Sequence, residues 1–353
     1  MPSVMKNVVI DGRAIGRGEP PFLVAEISAN HLGRIDRALS LIEASAEAGA
    51  DAVKLQTYTA DTITIDHDGP EFVLKGGLWG GRKLFDLYDE AHTPWEWHRA
   101  LFDKAHACGM TAFSSPFDAS AVEFLETLNV PAYKIASFEI VDLPLIKCCA
   151  ATGKPLVIST GMASRDEIEC AVNIALKYGS GQVILLHCTS GYPTPLPEAD
   201  LRTIPDLAAT FDLPVGLSDH TNGFAVPVAA VALGAVMVEK HITMQRADGG
   251  PDASFSLHPD EFAVMVKACG DAYAALGHVR SARAASEEAN VAIRRSLYVI
   301  ADMKPGETFT SSNLRSIRPG LGLPPKHLPE ILGRRARHEI KRGTALSWPD
   351  IEK

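Results

Sequence analysis

Apolar positions in the first two thirds of the chain gather into eight short runs rich in β-branched residues, separated by stretches whose apolar residues recur three and four apart. The runs are FLVAEIS (22–28), AVKLQTY (52–58), TAFSSP (111–116), AYKIAS (132–137), PLVISTG (155–161), VILLHCT (183–189), PVGLSDH (214–220) and MVEKHIT (237–243). Between them IDRALSLIEASAEAG, WEWHRALFDKAHACG and SRDEIECAVNIALKYG read as amphipathic helices stopped by glycine, with SAVEFLETLN a shorter one. A last helix, PDEFAVMVKACGDAYAALG, follows the eighth run. Eight strand–helix units predict an α/β chain closed into a (β/α)8 TIM barrel rather than an open doubly wound sheet. No GxGxxG or GxxxxGK[ST] motif supports a dinucleotide or P-loop fold.

The barrel is assigned to residues 1–280. Residues 281–293 are small, polar and charged and read as a linker; residues 294–353 bring short strands, many prolines and KPGE and KRGT turns, the marks of a small β-rich domain. About 60 residues of that kind are expected to bury little core alone and to dock on a partner surface. One connection is far longer than the rest: TADTITIDHDGPEFVLKGGLWGGRKLFDLYDEAHTP (59–94) follows the second run. Long βα loops lie on the active-site face of a barrel, so it predicts a substrate lid, the alternative being an inserted hairpin that only packs.

Composition narrows the class. At 353 residues, 46% hydrophobic and 22% charged, without low-complexity tracts, the chain reads as globular throughout. A net charge of −9 argues against a nucleic-acid partner. It leaves anionic small molecules open, because a few local cations decide their binding. The segment MPSVMKNVVIDGRAIGRGEPP has no apolar core of signal-peptide length. The most apolar run, Phe224 to Val238, is short for a bilayer and contains Pro227, so no membrane association is expected. Six cysteines without CxxC spacing fit a reduced, cytoplasmic enzyme.

The sharpest chemical signal is that PVGLSDH and MVEKHIT, two consecutive runs, both end in histidine. In neighbouring parallel strands about 4.8 Å apart, His220 and His241 can reach one point beyond the strand ends, a place for a metal; the alternative is a pair of hydrogen-bonded core histidines. No cysteine lies near to close a structural zinc site. An open site of nitrogen and oxygen donors suits a divalent metal, Mn2+ or Mg2+, acting as a Lewis acid on a carbonyl. The same ring of strand ends is expected to carry Glu26, Lys54, Gln56, Ser115, Lys134, Ser137, Glu139, Ser159, Thr160, Tyr192, Ser218, Lys240 and Asp252. Lys54 and Lys134 sit within runs that should be buried, where an unpaired ammonium is costly. Their anion is either a fixed partner such as Glu26 or Glu139, or a phosphate and carboxylate brought by a substrate.

The blocks AEISANHLG, KLQTYTADTITID, FSSPFD, YKIASFEIVDLPLIK, STGMAS, HCTSGYPTP, GLSDHT, EKHIT, GGPDASFSL and RRSLY resemble the sialic acid synthase family over essentially the whole chain. The C-terminal segment resembles the family's antifreeze-like (SAF) domain. LWGGRKLFDLYDEAHTPWEWH and SIRPGLGLPPK look like its pseudaminic acid branch. The resemblance implies a metal-dependent condensation of phosphoenolpyruvate with the open-chain aldehyde of an acetamido deoxy sugar, giving a nine-carbon 2-keto acid and phosphate. For that branch the acceptor is 2,4-diacetamido-2,4,6-trideoxy-L-altrose.

By the same resemblance His220 and His241 ligate the metal, and Lys54, Lys134, Ser137 and Ser218, with Gln56, Ser115 and Ser159, hold phosphoenolpyruvate. Glu26 and Glu139 are the carboxylates nearest the reaction, and either can position the water that attacks carbon 2. Tyr192 and Asp252 contact substrate or the metal's water. Arg318 reaches the acceptor from a second subunit, which implies a domain-swapped homodimer. One departure is Ser190 and Gly191 ahead of Tyr192, where the resemblance implies asparagine. Trp79 or Tyr88 of the long loop is a candidate cover for the acceptor's deoxy carbon. Within the family, N-acetylneuraminate or legionaminic acid synthesis is the alternative. Outside it stand a Schiff-base aldolase using Lys134 or Lys54, which leaves the paired histidines without a role, and a non-catalytic carbohydrate-binding protein.

Overall fold

Successive side chains of a strand point to opposite faces, so alternation within each run decides what the inside of a barrel contains. The structure, a computed structural model, describes residues 6–352; the first five residues of the segment read for a targeting signal lie outside the described residues. Two compact units make up the chain, one running to Gly277 and the other beginning at His278.

The first unit starts with an antiparallel hairpin, β1 (Val8–Ile10) and β2 (Arg13–Ile15). All eight runs then form parallel strands: β3 (Phe22–Glu26), β4 (Ala52–Thr57), β5 (Thr111–Pro116), β6 (Tyr133–Ile135), β7 (Leu156–Ser159), β8 (Val183–His187), β9 (Val215–Asp219) and β10 (Met237–His241). They pair in chain order, and β10 closes on β3, giving the (β/α)8 barrel. Outward positions such as Val53, Leu55, Ile158, Leu217 and Val238 pack with helix residues such as Leu41, Ile42, Leu101 and Phe262 in one large core.

Inward positions tell a second story. Phe22, Val24, Ala52, Phe113, Ala132, Val157, Ile184 and Met237 form a separate apolar core inside the barrel, and Val8, Ile10 and Ile15 of the hairpin join it as a plug. Gly216 belongs to the same tight interior: a Cβ there would lie 2.5 Å from the Met237 carbonyl oxygen and 2.7 Å from Leu186 Cδ2. Two residues further along these strands, still facing inward, come Glu26, Lys54, Ser115, Lys134, Ser159, Ser218 and Glu239. The barrel is therefore filled by apolar side chains towards its N-terminal end and by polar ones at the C-terminal ends of its strands.

The second unit pairs β11 (Ser296–Val299) antiparallel with β12 (Leu314–Ile317), and isolated bridges join Met303 to Ile340, Thr308 to Arg335 and Ala336 to Ile351. Contrary to the expectation of little core, Leu297, Val299, Met303, Phe309, Leu314, Ile331, Ala336, Ile340, Leu346 and Ile351 form a core of its own. The bridges bring together apolar residues too far apart in sequence to show periodicity. Among the described residues no helix is long and apolar enough to cross a membrane.

Candidate active site

The polar ends of the strands surround a cavity of about 260 Å³, lined by Lys54, Gln56, Lys134, Ser137, Glu139, Ser159, Tyr192, Ser218, His220, His241 and Asp252, all candidates from the sequence. Glu26 and Ser115 do not line it. They stand behind Lys54, whose ammonium meets the Glu26 carboxylate and lies 3.3 Å from Ser115 Oγ.

Glu239 lines the cavity too and is absent from the candidates read off the sequence. Its Oε1 lies 3.2 Å from Lys134 Nζ and 3.7 Å from Lys54 Nζ, and accepts from Ser218 Oγ at 3.0 Å. The fixed partners of the two buried lysines are thus Glu26 and Glu239; Glu139 makes a direct ion pair with neither, though the charge of Lys134 acts on it. Counting back by two from His241 turns Glu239 inward. The same count turns Lys240 outward, where it is fully buried against Asp219. Thr160 likewise leaves the ring, its hydroxyl donating to the Leu186 carbonyl at 3.2 Å.

This cluster sets its own charge states. Burial pushes the Glu26 carboxyl up, whereas at Glu239 the two lysines outweigh burial and hold the pKa down. Burial opposes the charge on Lys54, but Glu239 and Glu26 prevail and raise its pKa; at Lys134 burial wins and lowers it. Glu139 follows β6 in a turn of 3-10 helix, Ser137–Glu139. Its Oε2 is buried without a hydrogen-bond partner, and burial pushes its pKa to about 7. A polar line continues sideways: Gln56 Nε2 donates to Glu26 Oε1 at 3.2 Å and to Ser28 Oγ at 3.0 Å, and Ser28 donates to Asp252 Oδ2 at 2.5 Å.

The His220 and His241 ring centroids are 5.5 Å apart. Burial lowers the His220 pKa to about 4 and that of His241 well below its ordinary value, so both are neutral donors near pH 7. His220 Nδ1 lies 3.2 Å from the Thr189 carbonyl oxygen, a contact that as an N–H···O bond leaves Nε2 with its lone pair. His241 Nδ1 is buried with no partner. That donor set fits a divalent ion with open positions. Among the described residues no three His, Cys, Asp or Glu side chains converge into a closed cage.

The long connection covers this site. It holds two short helices, Ala60–Ile63 and Leu84–Ala91, and a bridge between Val73 and Lys83. Ile63, Leu74, Trp79, Leu87, Tyr88 and Ala91 face the cavity. The Trp79 indole N–H donates to the Pro251 carbonyl at 2.9 Å, and its ring lies 5.3 Å from that of Tyr192. Ser190, ahead of Tyr192, has its Oγ 2.9 Å from Ser137 Oγ. Arg318 is exposed on the second unit, directly after β12.

The NeuB family model matches residues 41–281, and the SAF domain model matches residues 294–352. The chain is 44% identical to the pseudaminic acid synthase of Campylobacter jejuni, covering 94% of this chain and 96% of that protein. It is 42% identical to the pseudaminic acid synthase of Helicobacter pylori, with 95% and 99% covered. With the N,N'-diacetyllegionaminic acid synthase of Legionella pneumophila the identity is 35%, over 94% of each. Among solved structures, the N-acetylneuraminic acid synthetase of Leptospira borgpetersenii superposes with a TM-score of 0.73 at 31% identity, covering 81% of this chain and 95% of that one. A barrel with this ring of lysines and histidines, matched over two thirds of the chain and followed by an SAF match, makes the chain a member of the NeuB family.

Proposed function

We propose that the chain condenses phosphoenolpyruvate with 2,4-diacetamido-2,4,6-trideoxy-L-altrose, acting as a pseudaminic acid synthase and releasing phosphate. The observation that carries the chemistry is the presence of two buried lysines and two buried neutral histidines around one cavity. The choice of acceptor rests on identities of 42–44% to pseudaminic acid synthases against 35% to a legionaminic acid synthase.

Lys54 and Lys134 bind the phosphate and carboxylate, exchanging part of their pairing with Glu239 for substrate oxygens, and Ser137, Ser159, Ser218, Gln56 and Ser115 complete the cradle or hold Lys54 in place. Carbon 3 of phosphoenolpyruvate bonds to the aldehyde carbon, whose oxygen takes a proton and becomes a hydroxyl. Positive charge appears at carbon 2, where the nearby carboxylates stabilise it. Water adds there, one of its protons passes to Glu139, and the carbon–oxygen bond to phosphate breaks as the second proton leaves the new hydroxyl with the departing phosphate, so that the ketone forms. Glu139 suits the role of base because it lines the cavity with one oxygen unpaired, whereas Glu26 is held behind Lys54. A divalent ion, Mn2+ or Mg2+, on His220 and His241 would supply Lewis-acid polarisation of the aldehyde. Tyr192 and Asp252 contact the acceptor, and Arg318 reaches it from the second unit of a partner copy in a domain-swapped homodimer.

Phosphoenolpyruvate carrying 18O at its bridging oxygen tests this sequence. Labelled phosphate is the expected product; unlabelled phosphate would mean attack at phosphorus and would contradict it.

A further inference from the structure

Behind the two histidines, on the outer face of the same strands, lies a buried ion pair that the condensation does not use. Lys240 precedes His241, Asp219 precedes His220, and the two stand opposite each other at the last rung of the β9–β10 ladder. Lys240 is fully buried and Asp219 nearly so, and the ammonium contacts the carboxylate directly. The same ammonium donates to the carbonyl of Thr221, on the far side of His220. Thr221 closes the loop, its N–H donating to Asp219 Oδ1 at 3.0 Å and its hydroxyl to Oδ2 at 3.1 Å. One side chain from the strand of His241 thus grips the residues immediately before and after His220.

Packed apolar residues would join two strands at least as well, because the desolvation of a buried ion pair often offsets its attraction. What they would not supply is direction. A fully buried ammonium must keep both its acceptors, the Asp219 carboxylate and the Thr221 carbonyl, so a slip of one strand end against the other leaves a buried charge unsatisfied. We infer that Lys240 and Asp219 are a positioning pair, setting the spacing at which the imidazoles of His220 and His241 share a divalent cation. The inference rests on the metal reading above.

Mn2+ binding to the full chain, followed by the paramagnetic resonance signal of free Mn2+, tests it beside phosphoenolpyruvate binding to the metal-free protein by calorimetry. Lys240→Met removes the ammonium and keeps the stem. Lys240→Met combined with Asp219→Leu removes both charges and leaves no unpaired buried carboxylate. The folded double variant should bind Mn2+ about 10- to 100-fold more weakly. Its affinity for phosphoenolpyruvate should fall by much less than its affinity for Mn2+, since Lys54 and Lys134 hold that substrate from β4 and β6 and only Ser218 comes from β9. Wild-type Mn2+ affinity in a folded variant, or equal losses for Mn2+ and phosphoenolpyruvate, would overturn the inference. Failure of both variants to fold would assign the pair to the fold instead of the site and would overturn it equally. A wild-type chain that binds no Mn2+ would remove the metal reading itself, and the positioning role with it.

Discussion

Glu139 holds a buried carboxyl with one oxygen unpaired and a pKa raised to about 7 by burial, which fits it for the proposed role of base near neutral pH and makes it a cost to the fold. Both consequences are measurable. As base it must be ionised, so kcat/KM should fall about tenfold per pH unit below pH 7, with E139Q abolishing that limb and lowering kcat by about 10²–10⁴. As a carboxyl whose pKa is raised on folding, it stabilises the folded state fully only below its unfolded value of 4.5 and loses that advantage as pH rises through 7. E139Q should therefore melt with the wild type at pH 4 and above it at pH 8; equal melting at both would show the carboxyl to be solvated. Lys134 offers a separate test. If Lys134 holds the substrate anion, K134M should raise the KM for phosphoenolpyruvate about 10- to 100-fold.

At the level of elements, the eight strands were legible because each run is short, β-branched and bounded by helical periodicity, and every one forms a barrel strand. The cavity was legible for the same reason, since polar side chains at the ends of apolar strands have few places to go. What escaped had specific causes. Glu239 lies inside a strand whose neighbour Lys240 draws attention as a charge, and only strict alternation from His241 separates them. The hairpin β1–β2 carries the sequence VVIDGRAI, an Asp-Gly turn between apolar runs, with φ of 50° at Asp11 and 77° at Gly12. Two strands of three residues are too short to show a period in the sequence. Ile10, fully buried in the interior core, makes the hairpin testable: Ile10→Ala should cost about 2–5 kcal/mol in chemical denaturation while leaving kcat unchanged. A loss below about 0.5 kcal/mol, within the range of surface substitutions, would mean that the plug does not hold the barrel shut.

For the whole molecule, the two units have separate cores, and the question is what the second adds to the first. If Arg318 reaches the acceptor in a partner's site, a chain ending at Ala292 should fold its barrel, bind phosphoenolpyruvate and fail to turn over; full turnover would remove Arg318 from the site. The C-terminal unit was legible as β-rich, but its core was not, because the residues that meet across its bridges show no period in sequence. If Arg318 joins the lid and the strand ends at the acceptor, the choice of acceptor is a property of the whole molecule. Phosphate release from phosphoenolpyruvate should be measured with chelated and Mn2+-restored enzyme, offered in parallel 2,4-diacetamido-2,4,6-trideoxy-L-altrose and N-acetylmannosamine. Release is expected only with the altrose sugar and only with metal. Preference for N-acetylmannosamine, or turnover that survives the chelator, would contradict it.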